Sequence, residues 1–129
     1  MDEYLIPNSS FLRLYNEYNS YGSLVIAFDF DNTVYDFHNK GETYDNVIQL
    51  LRELDEINCY LICFTANSDI PLVENYLISN NIPFKSINQN PPFFKSDMGK
   101  IYYNALLDDR AGLSQVYQEL KLLYTLVKK

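Results

Sequence analysis

Between residues 24 and 64 the chain reads as an apolar run, an amphipathic helix and a second apolar run, an order few folds accept. Leu24 to Phe28 is apolar at every position, the pattern of a strand buried on both faces rather than one with a wet face. Val47, Leu50, Leu51, Leu54 and Ile57 then recur at the spacing of one helix face, and Cys59 to Phe64 is again continuously apolar. Nothing between the two runs signals a hairpin. Buried strands alternating with amphipathic helices predict a parallel sheet with right-handed crossovers, covered by helices on both faces.

The rest of the chain fits that frame. "NSSFLRLYNEYN" places Phe11, Leu12, Leu14, Tyr15 and Tyr18 near helical spacing, with Asn8 or Ser9 as N-cap. "TANSDIP" supplies a loop and a helix start, with Ser68 or Asp69 as cap, Pro71 in the first turn, and Leu72, Val73, Tyr76 and Leu77 as its apolar residues up to Asn80 and Asn81. A short strand is expected near Phe84 to Ile87. The adjacent prolines of "NQNPPFFKSDMGK" lack ladder donors, so that stretch is expected as a loop. A further strand, Ile101 to Leu107, leads into "DDRAG", and a last helix turns Leu113, Val116, Tyr117, Leu120, Leu123 and Val127 inward. Lys128 and Lys129 suit its C-terminal dipole.

At 129 residues the chain is expected to form one domain over 1–129, with 1–22 as an N-terminal helical segment packed on the core. A hydrophobic fraction of 47% with few Gly and Pro excludes disorder. The formal charge of −7 argues against a broad nucleic-acid surface, although a local Lys cluster could hold one phosphate, and an acidic protein aimed at phosphate would want a metal ion. No apolar run approaches a membrane span, and "MDEYLIPNSS" has neither the basic flank nor the apolar stretch of a signal peptide, so a cytoplasmic location is expected. Cys59 and Cys63 are the only cysteines. Four apart in one strand, they are too distant for a disulfide and are expected as buried thiols.

The polar residues collect where the strands end. Asp29 and Asp31 follow the first strand, Thr65 the second, and Asp108 with Asp109 the last. In an open parallel sheet, ligands bind beyond those ends, where the strand order reverses. Four carboxylates meeting there would raise one another's pKa values unless a cation held them, and hard oxygen donors point to Mg²⁺. Asp29 and Asp31, two apart in an extended segment, project towards the same crevice while Phe30 turns into the core. One can attack while the other donates a proton.

These residues carry a resemblance. "VIAFDFDNTVYD" is similar to the first motif of the haloacid dehalogenase (HAD) superfamily, an apolar strand followed by Asp-x-Asp-x-Thr. "YLICFTA" resembles its second motif and "NALLDDRAG" its fourth, in the style of small HAD phosphatases. The resemblance spans Leu24 to about Gly112 and implies a Rossmann-like HAD core, a Mg²⁺-dependent phosphatase and a phosphorylated substrate, a nucleotide or a phosphorylated macromolecule end being the first to try. It implies that Asp29 is the nucleophile forming an aspartyl-phosphate, and that Asp31 is the general acid and then the base. Mg²⁺ would be held by Asp29, the backbone carbonyl of Asp31 and Asp108, with Asp109 orienting one of the ion's waters. Thr65 would bind a phosphoryl oxygen, and Thr33 would steady the first loop.

For the third-motif lysine, Lys100 is placed first by its position just before the last strand, ahead of Lys95 and then Lys85. His38 reads as a surface loop residue, with substrate contact as its alternative, and Arg110 as the partner of a neighbouring acid, with a clamp on substrate phosphate as its alternative. The segments after the first and third motifs are too short for a cap domain, so "YDFHNKGETYD" is the only local flap. Capless members of the family act on large substrates or borrow cover by oligomerising, and the resemblance leaves both open. A regulatory, non-catalytic HAD domain and a receiver-like phospho-accepting domain are the alternatives. The intact set of Asp29, Asp31, Thr65 and Asp108 weighs against the first, and Asp-x-Asp-x-Thr on the first strand against the second.

Overall fold

The computed structural model describes residues 2–94 and 101–129, so Lys95 and Lys100 lie outside the described residues. A 3₁₀ turn, Glu3–Leu5, precedes helix α1 (Ser9–Tyr21), strand β1 (Val25–Asp29), α2 (Asp45–Glu56), β2 (Tyr60–Phe64), α3 (Ile70–Ser79), β3 (Ser86–Ile87), β4 (Ala105–Leu107) and α4 (Leu113–Val127). The strands form one parallel sheet in the order β3-β2-β1-β4. The expected single Rossmann-like α/β fold is therefore the observed one, and a solved structure described below shares it.

Register divides the strand residues between two faces. Ile26 pairs with Leu61 and Ala105, and Phe28 with Cys63 and Leu107. These residues join buried side chains of all four helices in one core: Leu14 of α1, Leu50, Leu51 and Leu54 of α2, Val73 and Leu77 of α3, Leu120 and Leu123 of α4. Polar links fix the helices side by side. Arg52 of α2 donates to the Asn80 and Asn81 carbonyls at the end of α3, Lys121 of α4 pairs with Glu53 of α2, and Ser10 of α1 bonds Glu119 of α4. The layer thus runs α3-α2-α4-α1.

On the opposite face Val25, Ala27 and Ile62 are also buried, and Phe93 packs edge-on against Tyr60 with ring centroids 6.1 Å apart. Helical cover was expected on both faces. Among the described residues the helices pack on one face, and Phe93, after β3, lies against the other. Handedness accounts for α2 and α3 sharing that face, because β1→β2→β3 steps one way across the sheet.

Several element bounds differ from expectation. The last strand begins at Ala105 rather than Ile101, because the Tyr102 N–H is taken by Asn90 Oδ1 (2.6 Å) and Asn104 Oδ1 receives the Val25 N–H (2.6 Å). Side chains thereby occupy positions that ladder bonds would fill. The third strand is only Ser86–Ile87. Asn8 sits at the N-cap of α1 in a left-handed conformation and makes no side-chain capping bond, whereas Asp69 caps α3 by accepting the Leu72 N–H at 3.2 Å. Leu72, expected inward, is 39% exposed in the first turn of α3. Cys59 and Cys63 are buried free thiols, both pushed up to about 12 chiefly by desolvation, which makes them unreactive.

Candidate active site

β1 and β4 are neighbours whose onward chains go opposite ways, so a crevice opens at their C-terminal ends. A cavity of about 480 Å³ lies there, and Asp29, Asp31, Thr65, Asp108 and Asp109 all line it, with His38 and Arg110. Side chains from three strand ends are therefore brought together as the spacing predicted. Lys85 is not among the lining residues. Its N–H donates to the Leu61 carbonyl at 2.7 Å, which sets it near the level of Ile26, roughly 10 Å along the strand direction from Asp29 and two strands away.

The turn after β1 is closed by its own backbone. The Phe30 carbonyl accepts N–H bonds from Val34 (3.1 Å) and Tyr35 (3.0 Å), and the Asn32 N–H donates to the Tyr35 carbonyl at 2.8 Å. Asn32 adopts φ 62°, a left-handed conformation that asparagine tolerates better than most residues. Phe30 is fully buried as expected, stacked on Tyr35 at 4.8 Å, and Tyr76 of α3 packs edge-on against both rings and donates its hydroxyl to the Val34 carbonyl. The turn that carries Asp31 is thus pinned from the helical layer. Thr33, also fully buried, accepts the Asp109 N–H at 3.2 Å and ties this turn to the one after β4.

Carboxylate oxygens of Asp29, Asp108 and Asp109 all lie within 4.8 Å of one another. Burial, a hydrogen bond to Asp109 and the charge of Asp108 push the Asp29 carboxyl up to about 7. Without a cation the group relieves its repulsion by holding a proton. Hard, anionic, oxygen-only donors converging on one point fit Mg²⁺, which binds few carboxylates and keeps several waters. The Asp31 carboxylate is not in this set. Its Oδ1 is buried without a hydrogen-bond partner, and desolvation followed by the charge of Asp109 raises its pKa, with His38 opposing.

Thr65 is 8% exposed, and its hydroxyl oxygen accepts the Asn67 N–H at 3.0 Å, which leaves the hydroxyl proton to donate elsewhere. Asn88, just beyond β3, holds the Thr65 backbone at both ends: Oδ1 accepts its N–H and Nδ2 donates to its carbonyl, each at 2.8 Å. Sequence reasoning missed Asn88. The ion pair expected for Arg110 is absent among the described residues: its backbone N–H donates to Asp108 Oδ1 at 2.9 Å, while its exposed side chain lines the cavity. His38 is an exposed loop residue as expected, and it too faces the cavity. Phe37, Phe64, Asn32 and Ala66 complete the lining.

The fold and the crevice together define a Rossmann-like α/β protein with an acidic site at its strand ends. No protein-family model matches the chain, and neither does any curated protein. A solved structure of a conserved protein from Bacteroides thetaiotaomicron is similar, with a TM-score of 0.64 and 19% identity, over 78% of this chain and 91% of that one. At that identity the likeness concerns the fold alone. No described helix is long and apolar enough to cross a membrane.

Proposed function

We propose that the chain is a Mg²⁺-dependent phosphomonoester hydrolase of HAD type working through an aspartyl-phosphate. The reading rests on one observation, the convergence of Asp29, Asp108 and Asp109 oxygens within 4.8 Å, beside an acid of raised pKa at Asp31. Asp29, Asp108 and Asp109, with the Asp31 carbonyl, would hold the ion. When bound, Mg²⁺ supplies the positive charge that keeps Asp29 ionised and offsets charge on the phosphoryl oxygens.

The remaining chemistry belongs to the side chains. An Asp29 carboxylate oxygen attacks phosphorus, the bond from phosphorus to the ester oxygen breaks, and Asp31 gives its proton to the departing alcohol. Water then attacks phosphorus, Asp31 takes a proton from it, and the Asp29 carboxylate leaves with its electron pair. Thr65 donates its hydroxyl hydrogen bond to a phosphoryl oxygen. Arg110 places positive charge at the mouth of an otherwise acidic cavity.

The test is a panel of phosphomonoesters assayed with Mg²⁺ and with EDTA. Phosphate release that requires Mg²⁺ and disappears in Asp29→Asn supports the reading. A folded protein that binds Mg²⁺ and releases phosphate from no ester would instead favour a non-catalytic domain.

A further inference from the structure

Two phenylalanines in the cavity have no part in the chemistry proposed above. Phe64 is 40% exposed and Phe37 is 56% exposed, whereas Phe28 and Phe30, a few residues away in sequence, are fully buried. The core therefore takes up phenylalanine where the fold offers room, and these two stand apart from it. Phe64 is the register partner of Asp29, and parallel partners project from the same face about 5 Å apart. Its ring stands beside the acidic cluster. Phe37 reaches the same cavity from the loop after β1. That loop is fixed by the Asp36 carboxylate, which accepts N–H bonds from Lys40 (3.0 Å) and Gly41 (2.7 Å) and leaves Phe37 and His38 between its two ends.

Scattered exposed apolar side chains are ordinary, but two aromatic rings from separate elements in one polar crevice are a recognition surface. A phosphoryl group alone would not occupy a cavity of about 480 Å³. Resting on the phosphohydrolase reading, we propose that the site takes phosphomonoesters whose alcohol carries a planar aromatic ring, and that Phe64 and Phe37 hold this ring while the phosphoryl group meets Asp29. Flat rings stack on phenylalanine with little regard to their substituents, so these residues select for the presence of a ring rather than its identity. Arg110, at the same mouth, adds a cationic edge.

The test compares adenosine 5′-monophosphate with ribose 5-phosphate, which share the leaving oxygen and differ by the ring. With Mg²⁺, kcat/KM is expected to favour the nucleotide about tenfold or more, the scale of one stacked ring. Phe64→Leu and Phe37→Leu keep bulk but remove the flat face. Each should erode the preference, lowering kcat/KM for the nucleotide by more than for ribose 5-phosphate. Binding to the Asp29→Asn protein, followed by proton NMR, gives a readout independent of turnover: adenine protons should shift upfield, and ribose 5-phosphate should bind about tenfold more weakly. Equal kcat/KM for the two esters overturns the ring site and leaves the hydrolase standing. Nucleotide-selective binding with no turnover by the Mg²⁺-loaded wild type does the reverse. Equal affinity without upfield shifts in the Asp29→Asn protein also overturns the ring site.

Discussion

Asn88 grips Thr65 by both backbone groups, accepting its N–H and donating to its carbonyl at 2.8 Å each. The contact continues the β2–β3 pairing one step past the end of β3 and sets where the Thr65 hydroxyl points. Asn88 also adopts φ 58°, which glycine reaches without strain. Asn88→Gly therefore removes the grip and keeps the backbone. It should cost about 1–2 kcal/mol in denaturant unfolding, the net worth of two neutral hydrogen bonds. If Thr65 binds a phosphoryl oxygen, the same change should lower kcat by about tenfold or more, because small misplacements of a binding group are costly. A stability loss with unchanged kcat would remove Thr65 from the site.

The raised pKa of Asp29 makes the metal-free protein sensitive to pH in a definite direction. In the unfolded chain Asp29 ionises near 4; in the folded protein it does so at about 7. The folded state therefore holds a proton that the unfolded state has released. The contribution is fully present below pH 4, declines through the window, and is gone above 7. In EDTA, stability should fall between pH 4 and 7, and Asp29→Asn should flatten that decline. Mg²⁺ binds the ionised form, so its stabilising effect should grow over the same window, reaching about 2.7 kcal/mol at a hundredfold excess over Kd. Thermal melts at pH 5 and pH 8 with and without Mg²⁺ measure both. A Mg²⁺ shift equal at the two pH values would separate the ion from Asp29.

Asp29→Asn should abolish phosphate release, since an amide is close in shape but cannot supply the attacking oxygen. The variant should also fold at least as well as wild type at neutral pH, because it removes a charge from a crowded acidic cluster. Circular dichroism and the phosphate assay together check this. Near wild-type turnover would exclude Asp29 as nucleophile.

The residues that were legible in the sequence are those whose role follows from their own strand. Leu24–Phe28 and Asp29 could be read because a continuous apolar run fixes both the strand and the point where polar residues emerge, and β2 with Thr65 followed in the same way. What escaped depends on who stands opposite. Asn88 sits in a polar stretch, and only the backbone of Thr65 beside it turns an ordinary asparagine into a clamp. The residues from Ile101 to Asn104 read as strand, but Asn90 and the Asn104 side chain take up the bonding that would extend the ladder. For Arg110 the sequence favours an ion pair over a phosphate clamp, whereas in the structure it lines the cavity and makes no ion pair among the described residues. Asparagine itself was the overlooked sign: six of the seven described non-glycine residues with positive φ are asparagines, marking the turns that a chain with four glycines must make by other means.

Asp31 gives the sharpest separation of roles. Its Oδ1 is buried without a partner and its pKa is raised, first by desolvation and then by Asp109, which suits a carboxyl that keeps a proton until a leaving oxygen arrives. If it protonates the leaving group, Asp31→Asn should damage alkyl phosphates far more than p-nitrophenyl phosphate, whose anion departs with little assistance. General acid help is worth about 10²–10⁴-fold, so the two substrates should diverge by a measurable part of that range. The Asp31 carboxylate stands outside the Asp29, Asp108 and Asp109 cluster, and the substitution leaves the backbone carbonyl in place, so Mg²⁺ affinity measured by calorimetry should change little. Hydrolysis of the phospho-enzyme still needs a base, and the variant should accumulate aspartyl-phosphate after a burst on p-nitrophenyl phosphate. Equal losses on both esters, with no burst and weakened Mg²⁺ binding, would make Asp31 a carboxylate of the metal site and move the acid–base role to another residue of the crevice.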